Sequence, residues 1–162
     1  MRRVTLPVLV LAIMGLTTQS ALATSGAHFF SATSSVNDSG ALVVAWDEAG
    51  VGQQQVNYTL STQASATYAC INGGGNHPKA SNKQTFNGPL NTPSTPFLPE
   101  NGRVQGSLSV GPLSGGSFAC PSGQTLVLAR VTYSSITLHD DTNNVTANPA
   151  DVCRSFSSLF PC

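Results

Sequence analysis

The densest chemistry in the chain lies in residues 72–84, NGGGNHPKASNKQ. Asn72, Asn76, His77, Lys79, Asn82 and Lys83 crowd into one connection, and together they supply amide, imidazole and ammonium groups able to hydrogen-bond a sugar or a polar peptide. Gly73 to Gly75 and Pro78 are also ordinary turn formers, so a solvated turn accounts for the same composition. A phosphate cradle would need a lysine and a hydroxyl residue straight after the glycines, and that pattern is missing. The length of the connection favours a binding loop, because long loops carry function more often than short ones do.

Three further clusters could act on a substrate or a metal. Asp47 and Glu48 form an adjacent carboxylate pair, but neighbours on a strand point to opposite faces, so solvated acids at a strand end are expected. His139, Asp140, Asp141, Asn143 and Asn144 offer oxygen and nitrogen ligands. They lack the spacing of a calcium loop and read as turn chemistry. His28 would become an N-terminal copper ligand, with His77 or His139 completing the site, if a leader were cleaved after Ala27. Secreted copper-dependent polysaccharide oxygenases resemble that outline. Cleavage after Ala23 is the better expectation from the length of the preceding apolar run. There is no G-x-S-x-G and no H-E-x-x-H, so no catalytic residue, metal or cofactor is assigned.

These residues need a frame, and composition indicates which. Arg2 and Arg3, an apolar run over residues 4–16 and Ala21-Leu22-Ala23 read as a signal peptide covering residues 1–23. The expected location is therefore extracellular. Removing the leader takes two of seven cations and leaves a net charge of −2. So weak a field excludes a nucleic-acid partner and an anionic membrane surface. An extracellular glycan or a secreted protein remains as the expected partner. Cys70, Cys120, Cys153 and Cys162 make an even set in a short secreted chain, which reads as two disulfides. Of three pairings, Cys70–Cys120 with Cys153–Cys162 is favoured, the second pair being close enough in sequence to staple the C-terminal residues.

Alternation of apolar and polar residues dominates the remainder. Val56, Tyr58, Leu60, Thr62, Ala64, Ala66, Tyr68 and Cys70 share one parity, which predicts a long half-buried strand with Cys70 facing the core. Strands are also predicted over residues 28–36, 41–47, 103–110 and 124–139, the last with a change of phase near Ser134 and Ser135 that signals a bulge or corner. Residues 87–99, with four prolines, read as a connecting loop and as the one an enzyme inhibitor would present. Residues 151–160 place Val152, Phe156, Leu159 and Phe160 at helical spacing, so a helical turn capped by Asp151 is expected. About seven strands and a strand-terminal cysteine predict an all-β antiparallel β-sandwich of immunoglobulin-like kind over residues 24–148, followed by a tail over 149–162.

Three segments, Ala27-His-Phe29, Tyr68-Ala-Cys-Ile-Asn-Gly-Gly-Gly and Pro78-Lys-Ala-Ser-Asn-Lys83, resemble a family of small secreted proteins of actinobacteria and fungi. The resemblance covers the mature chain to about Asn144. It implies secretion and compact β structure, and, since no activity is assigned to that family, it carries over no functional residue. The function expected is a non-catalytic module that binds a polar surface ligand, a glycan first, through residues 72–84. A secreted enzyme inhibitor or small-ligand carrier stands second, and the copper oxygenase third.

Overall fold

The computed structural model describes residues 26–72 and 82–162. The signal-peptide assignment and Asn76, His77 and Lys79 therefore lie outside the described residues. Nine strands account for the described fold: β1 (His28–Val36), β2 (Leu42–Ala49), β3 (Val56–Asn72), β4 (Lys83–Asn91), β5 (Thr95–Phe97), β6 (Arg103–Val110), β7 (Gln124–Asp140), β8 (Val145–Ala147) and β9 (Val152–Ser155). All pairings are antiparallel, and the strands form two sheets. The smaller runs β1-β2-β6. The larger runs β4-β3-β7-β8, with β5 added to β3 and β9 to β7.

The core forms between the inward faces of these sheets. Leu42, Val44, Trp46 and Val104 from the smaller sheet meet Val56, Tyr58, Leu60, Val131, Tyr133 and Leu138 from the larger. Each set follows the two-residue period of its strand, which is why one face of every strand is apolar. At one end the Trp46 ring lies 4.8 Å from Tyr58 and 5.0 Å from Phe97. Disulfides join Cys70 to Cys120 and Cys153 to Cys162, the expected pairs, and Cys70 is buried. Such bonds suit an oxidising compartment. Among the described residues no helix is long and apolar enough to cross a membrane.

The phase change expected in β7 is a bulge. The register against β3 slips between Ser61 and Gln63, and Ser135 adopts a φ of 51°. That bulge also explains the main correction, because residues 151–160 hold no helical turn. Asp151 Oδ1 accepts the Ser135 amide at 2.9 Å, so the intended cap serves the bulge instead. Val152 to Ser155 then pair with Tyr133 to Arg130 as β9. A one- or two-turn helix gains too little from its own hydrogen bonds to compete with an open strand edge.

Residues 87–99 are the second correction. Instead of a projecting loop, they supply the end of β4 and all of β5, both laid against β3. Pro89 and Pro96 are tolerated because both strands lie at the sheet margin, where a missing N–H donor costs nothing. Phe97 turns inward onto Trp46 and Tyr58, and Thr92 closes the corner between the strands. Its amide donates to Leu60 O at 2.9 Å, and its hydroxyl oxygen accepts Leu60 N at 3.0 Å.

Candidate functional site

A polar sheet face becomes specific only where something breaks its flatness, and on the smaller sheet that break lies in β1. Phe29 and Phe30 are consecutive, so strict alternation places one of them in solvent. The ladder slips between Phe29 and Ser31, a β-bulge that keeps Phe29 on the core and extrudes Phe30. Phe30 is 63% exposed. The His28 ring lies 4.9 Å from its ring, and the Arg103 guanidinium sits 5.2 Å from its centroid.

Arg103 is itself held. Its Nε donates to Asp47 Oδ1 at 2.6 Å and its Nη2 to Oδ2, while Gln105 Nε2 donates to Asp47 Oδ2 at 2.9 Å. The hydrogen bonds from Arg103, then that from Gln105, hold the Asp47 carboxyl below the usual carboxylate range. A bidentate guanidinium–carboxylate pair fixes orientation in a way a lysine pair does not. Beside it the Asn101–Gly102 turn, with φ of 52° and 76°, closes between Glu100 and Arg103 by two backbone hydrogen bonds. Positive φ at both central residues is the requirement that Asn-Gly meets in tight hairpins. Leu98, Glu100, Asn101, Arg103 and Gln105 line a shallow depression of about 660 Å³, and Leu98 at its rim is 77% exposed. The result is a rigid platform, two apolar side chains flanking an oriented array of planar hydrogen-bonding groups.

On the reverse side of the same strand, Glu48 corrects the expectation of solvated acids. Asp47 does face outward, but Glu48 is fully buried. Tyr58 Oη donates to Glu48 Oε2 at 2.7 Å, whereas Glu48 Oε1 accepts no hydrogen bond. Trp46 Nε1 leans toward the Tyr58 hydroxyl and completes none either. Burial pushes the Glu48 carboxyl up to about 7. Tyr58 opposes that rise by its hydrogen bond, and the nearby Asp140 carboxyl reinforces it. Asp140 is fully buried too, and accepts Thr142 N at 2.8 Å, Asn143 N at 2.9 Å and Asn143 Nδ2 at 2.7 Å. Turn chemistry therefore describes residues 139–144.

The residues expected to bind ligand divide. Asn72 ends β3 opposite Gln124, Asn82 Nδ2 donates to Gln124 Oε1 at 3.2 Å, and the Lys83 ammonium lies 5.3 Å from the Phe160 ring. These three therefore gather at the disulfide end of the larger sheet, beside the C-terminal residues. Tyr58, which marks the platform end, lies fourteen residues back along β3 from Asn72. At about 3.3 Å per residue the two regions stand some 45 Å apart along the strand. They cannot grip one small ligand together. His28 Nδ1 lies 2.7 Å from Gly26 O, and His139 Nδ1 lies 2.9 Å from Thr146 Oγ1. Among the described residues no three His, Cys, Asp or Glu side chains converge as a metal site.

Sequence reasoning passed over Phe30, Leu98, Arg103 and Gln105. The legible signal was the Phe29-Phe30 doublet inside an alternating strand. No family model, no curated protein and no solved structure matches the chain.

Proposed function

We propose that this chain is a secreted, non-catalytic binding module, built on an immunoglobulin-like sandwich, that holds a polar surface ligand on the outer face of β1-β2-β6. A glycan is the ligand that fits best. The observation that carries this reading is Phe30, lifted into solvent by a bulge beside the oriented Asp47, Arg103 and Gln105 groups. A pyranose presents an apolar C–H face and a rim of hydroxyls. An exposed ring next to fixed planar donors and acceptors complements both, and exposed apolar groups on a polar sheet otherwise work against solubility. Asn72, Asn82 and Lys83 form a separate, distant contact in this reading, while Asn76, His77 and Lys79 lie outside the described residues.

The test is retention on insoluble polysaccharides and cell-wall fractions. Phe30→Ala is expected to cut affinity at least tenfold while leaving the melting temperature within about 2 °C, because Phe30 lies outside the core. A joint alanine change at Asn76, His77 and Lys79 measures the loop separately. If the unmodified protein binds none of these surfaces, the proposal fails. The inhibitor reading loses its projecting loop to β4 and β5.

A further inference from the structure

We propose that Glu48 and Asp140 hold one proton between them, and that this proton fastens the two sheets to each other at the His28 end. Glu48 belongs to β2 of the smaller sheet and Asp140 to β7 of the larger, and both side chains are 0% exposed. Asp140 has three donors and is satisfied as a carboxylate. Glu48 has one donor, Tyr58, and an Oε1 with none. Tyr58 links the two acids, since its hydroxyl donates to Glu48 and its rung partner in the β3–β7 ladder is Asp140, and two buried anions so placed, one short of donors, are costly without a compensating group. A proton on Glu48 that is donated to Asp140 removes one charge and occupies the idle oxygen in a single step. No atom beyond a solvent proton is required.

Among the described residues the surroundings supply no alternative counter-charge within the core. From β3 comes Tyr58, whose hydroxyl burial keeps protonated. From β1 comes His28, exposed and exerting only a weak opposing influence on Glu48. From β6 the rung neighbour is Val104, which is apolar, and Arg103 with Asp47 occupies the opposite face. At the end of β7, His139 lies 4.0 Å from Asp141, the residue just past the strand, beside Asp140. The β1–β2 ladder sets Phe29 directly opposite Glu48, so the fastening lies beside the bulge that presents Phe30.

The sign of the pH effect follows. Glu48 is raised in the folded chain from an ordinary 4.5 to about 7, chiefly by burial. Its contribution to stability is therefore complete below about 4.5, declines as pH rises through about 7, and is gone in alkali. A gap of about 2.5 pH units corresponds to about 300-fold in the folding equilibrium and about 10 °C in melting temperature.

The experiment is thermal unfolding of the protein and of Glu48→Gln from pH 5 to pH 9. Glutamine is uncharged throughout, accepts from Tyr58 and donates to Asp140. The variant is expected to match the parent at pH 5 and to melt about 10 °C above it at pH 9, with groups common to both proteins cancelling in the difference. Parallel curves overturn the proposal. In case the variant folds poorly, the ¹³C signal of the Glu48 carboxyl in the unmodified protein is titrated directly. A midpoint near 7 supports the shared proton, and one below 5 overturns it.

Discussion

Gly106 sits opposite Trp46 in the β2–β6 ladder and on the inward face of the smaller sheet. A methyl group there would lie 2.8 Å from Phe97 Cε1, 2.8 Å from Trp46 Cζ2 and 3.1 Å from Trp46 Cη2. None of these is the free end of a flexible chain, since Phe97 packs edge to face on Trp46 and Tyr58, which are tilted against each other, at centroid distances of 4.8 to 5.5 Å. Gly106→Ala must therefore spread the aromatic cluster. Overpacking of this kind costs about 1–3 kcal/mol. The lost flexibility of the unfolded chain returns about 0.4–1 kcal/mol. The net expectation is a destabilisation of about 1–2 kcal/mol, a fall of about 3–8 °C in melting temperature. Trp46 is the only tryptophan, so its emission reports the perturbed cluster directly. Gly88→Ala is the control, because a methyl group at Gly88 meets nothing within 4 Å. It should leave stability unchanged or raise it slightly. If Gly106→Ala melts at or above the parent with unaltered tryptophan emission, the packing argument is wrong.

The two disulfides should separate by loop length. Replacing Cys70 and Cys120 by serine opens a 50-residue separation and is expected to cost about 4 kcal/mol, against about 2.5 kcal/mol for the nine-residue Cys153–Cys162 closure. Urea unfolding of the two double variants checks the order, and equal losses would show that the tail bond does more than close its own loop. Thr92→Val keeps the shape of a buried corner but strands the Leu60 amide. It should lower the urea midpoint by the equivalent of about 1–3 kcal/mol with an unchanged slope. A change under about 0.5 kcal/mol would mean that another acceptor reaches Leu60.

Which of these features could be read without coordinates depended on how local the signal was. Residues 103–110 become β6 as expected, because alternation and an Asn-Gly turn are contained in ten residues. Cys70 faces the core on the parity of Val56, and Ser135 carries the bulge implied by a change of phase. Glu48 departs from the expectation because its parity partners Val44 and Trp46 are inward, and its one hydrogen-bond donor, the Tyr58 hydroxyl, arrives from another strand. Asp151 looked like a helix cap for the same reason, since its true partner, the Ser135 amide, comes from another strand. The platform was half legible: the Phe29-Phe30 doublet is in the sequence, whereas the union of Arg103 and Asp47 depends on register.

The long central pairing of β3 with β7 also has a kinetic side. These two 17-residue strands meet over most of their length, yet even their nearest rung, Asn72 with Gln124, must wait for all of β4, β5 and β6 to be synthesised. Topologies dominated by such distant pairings fold in milliseconds to seconds rather than microseconds. During that interval the alternating apolar face of β3 has no native partner of its own length. A nascent chain of this kind is exposed to association with its copies, so holdase capacity, more than final stability, should set the yield of folded protein.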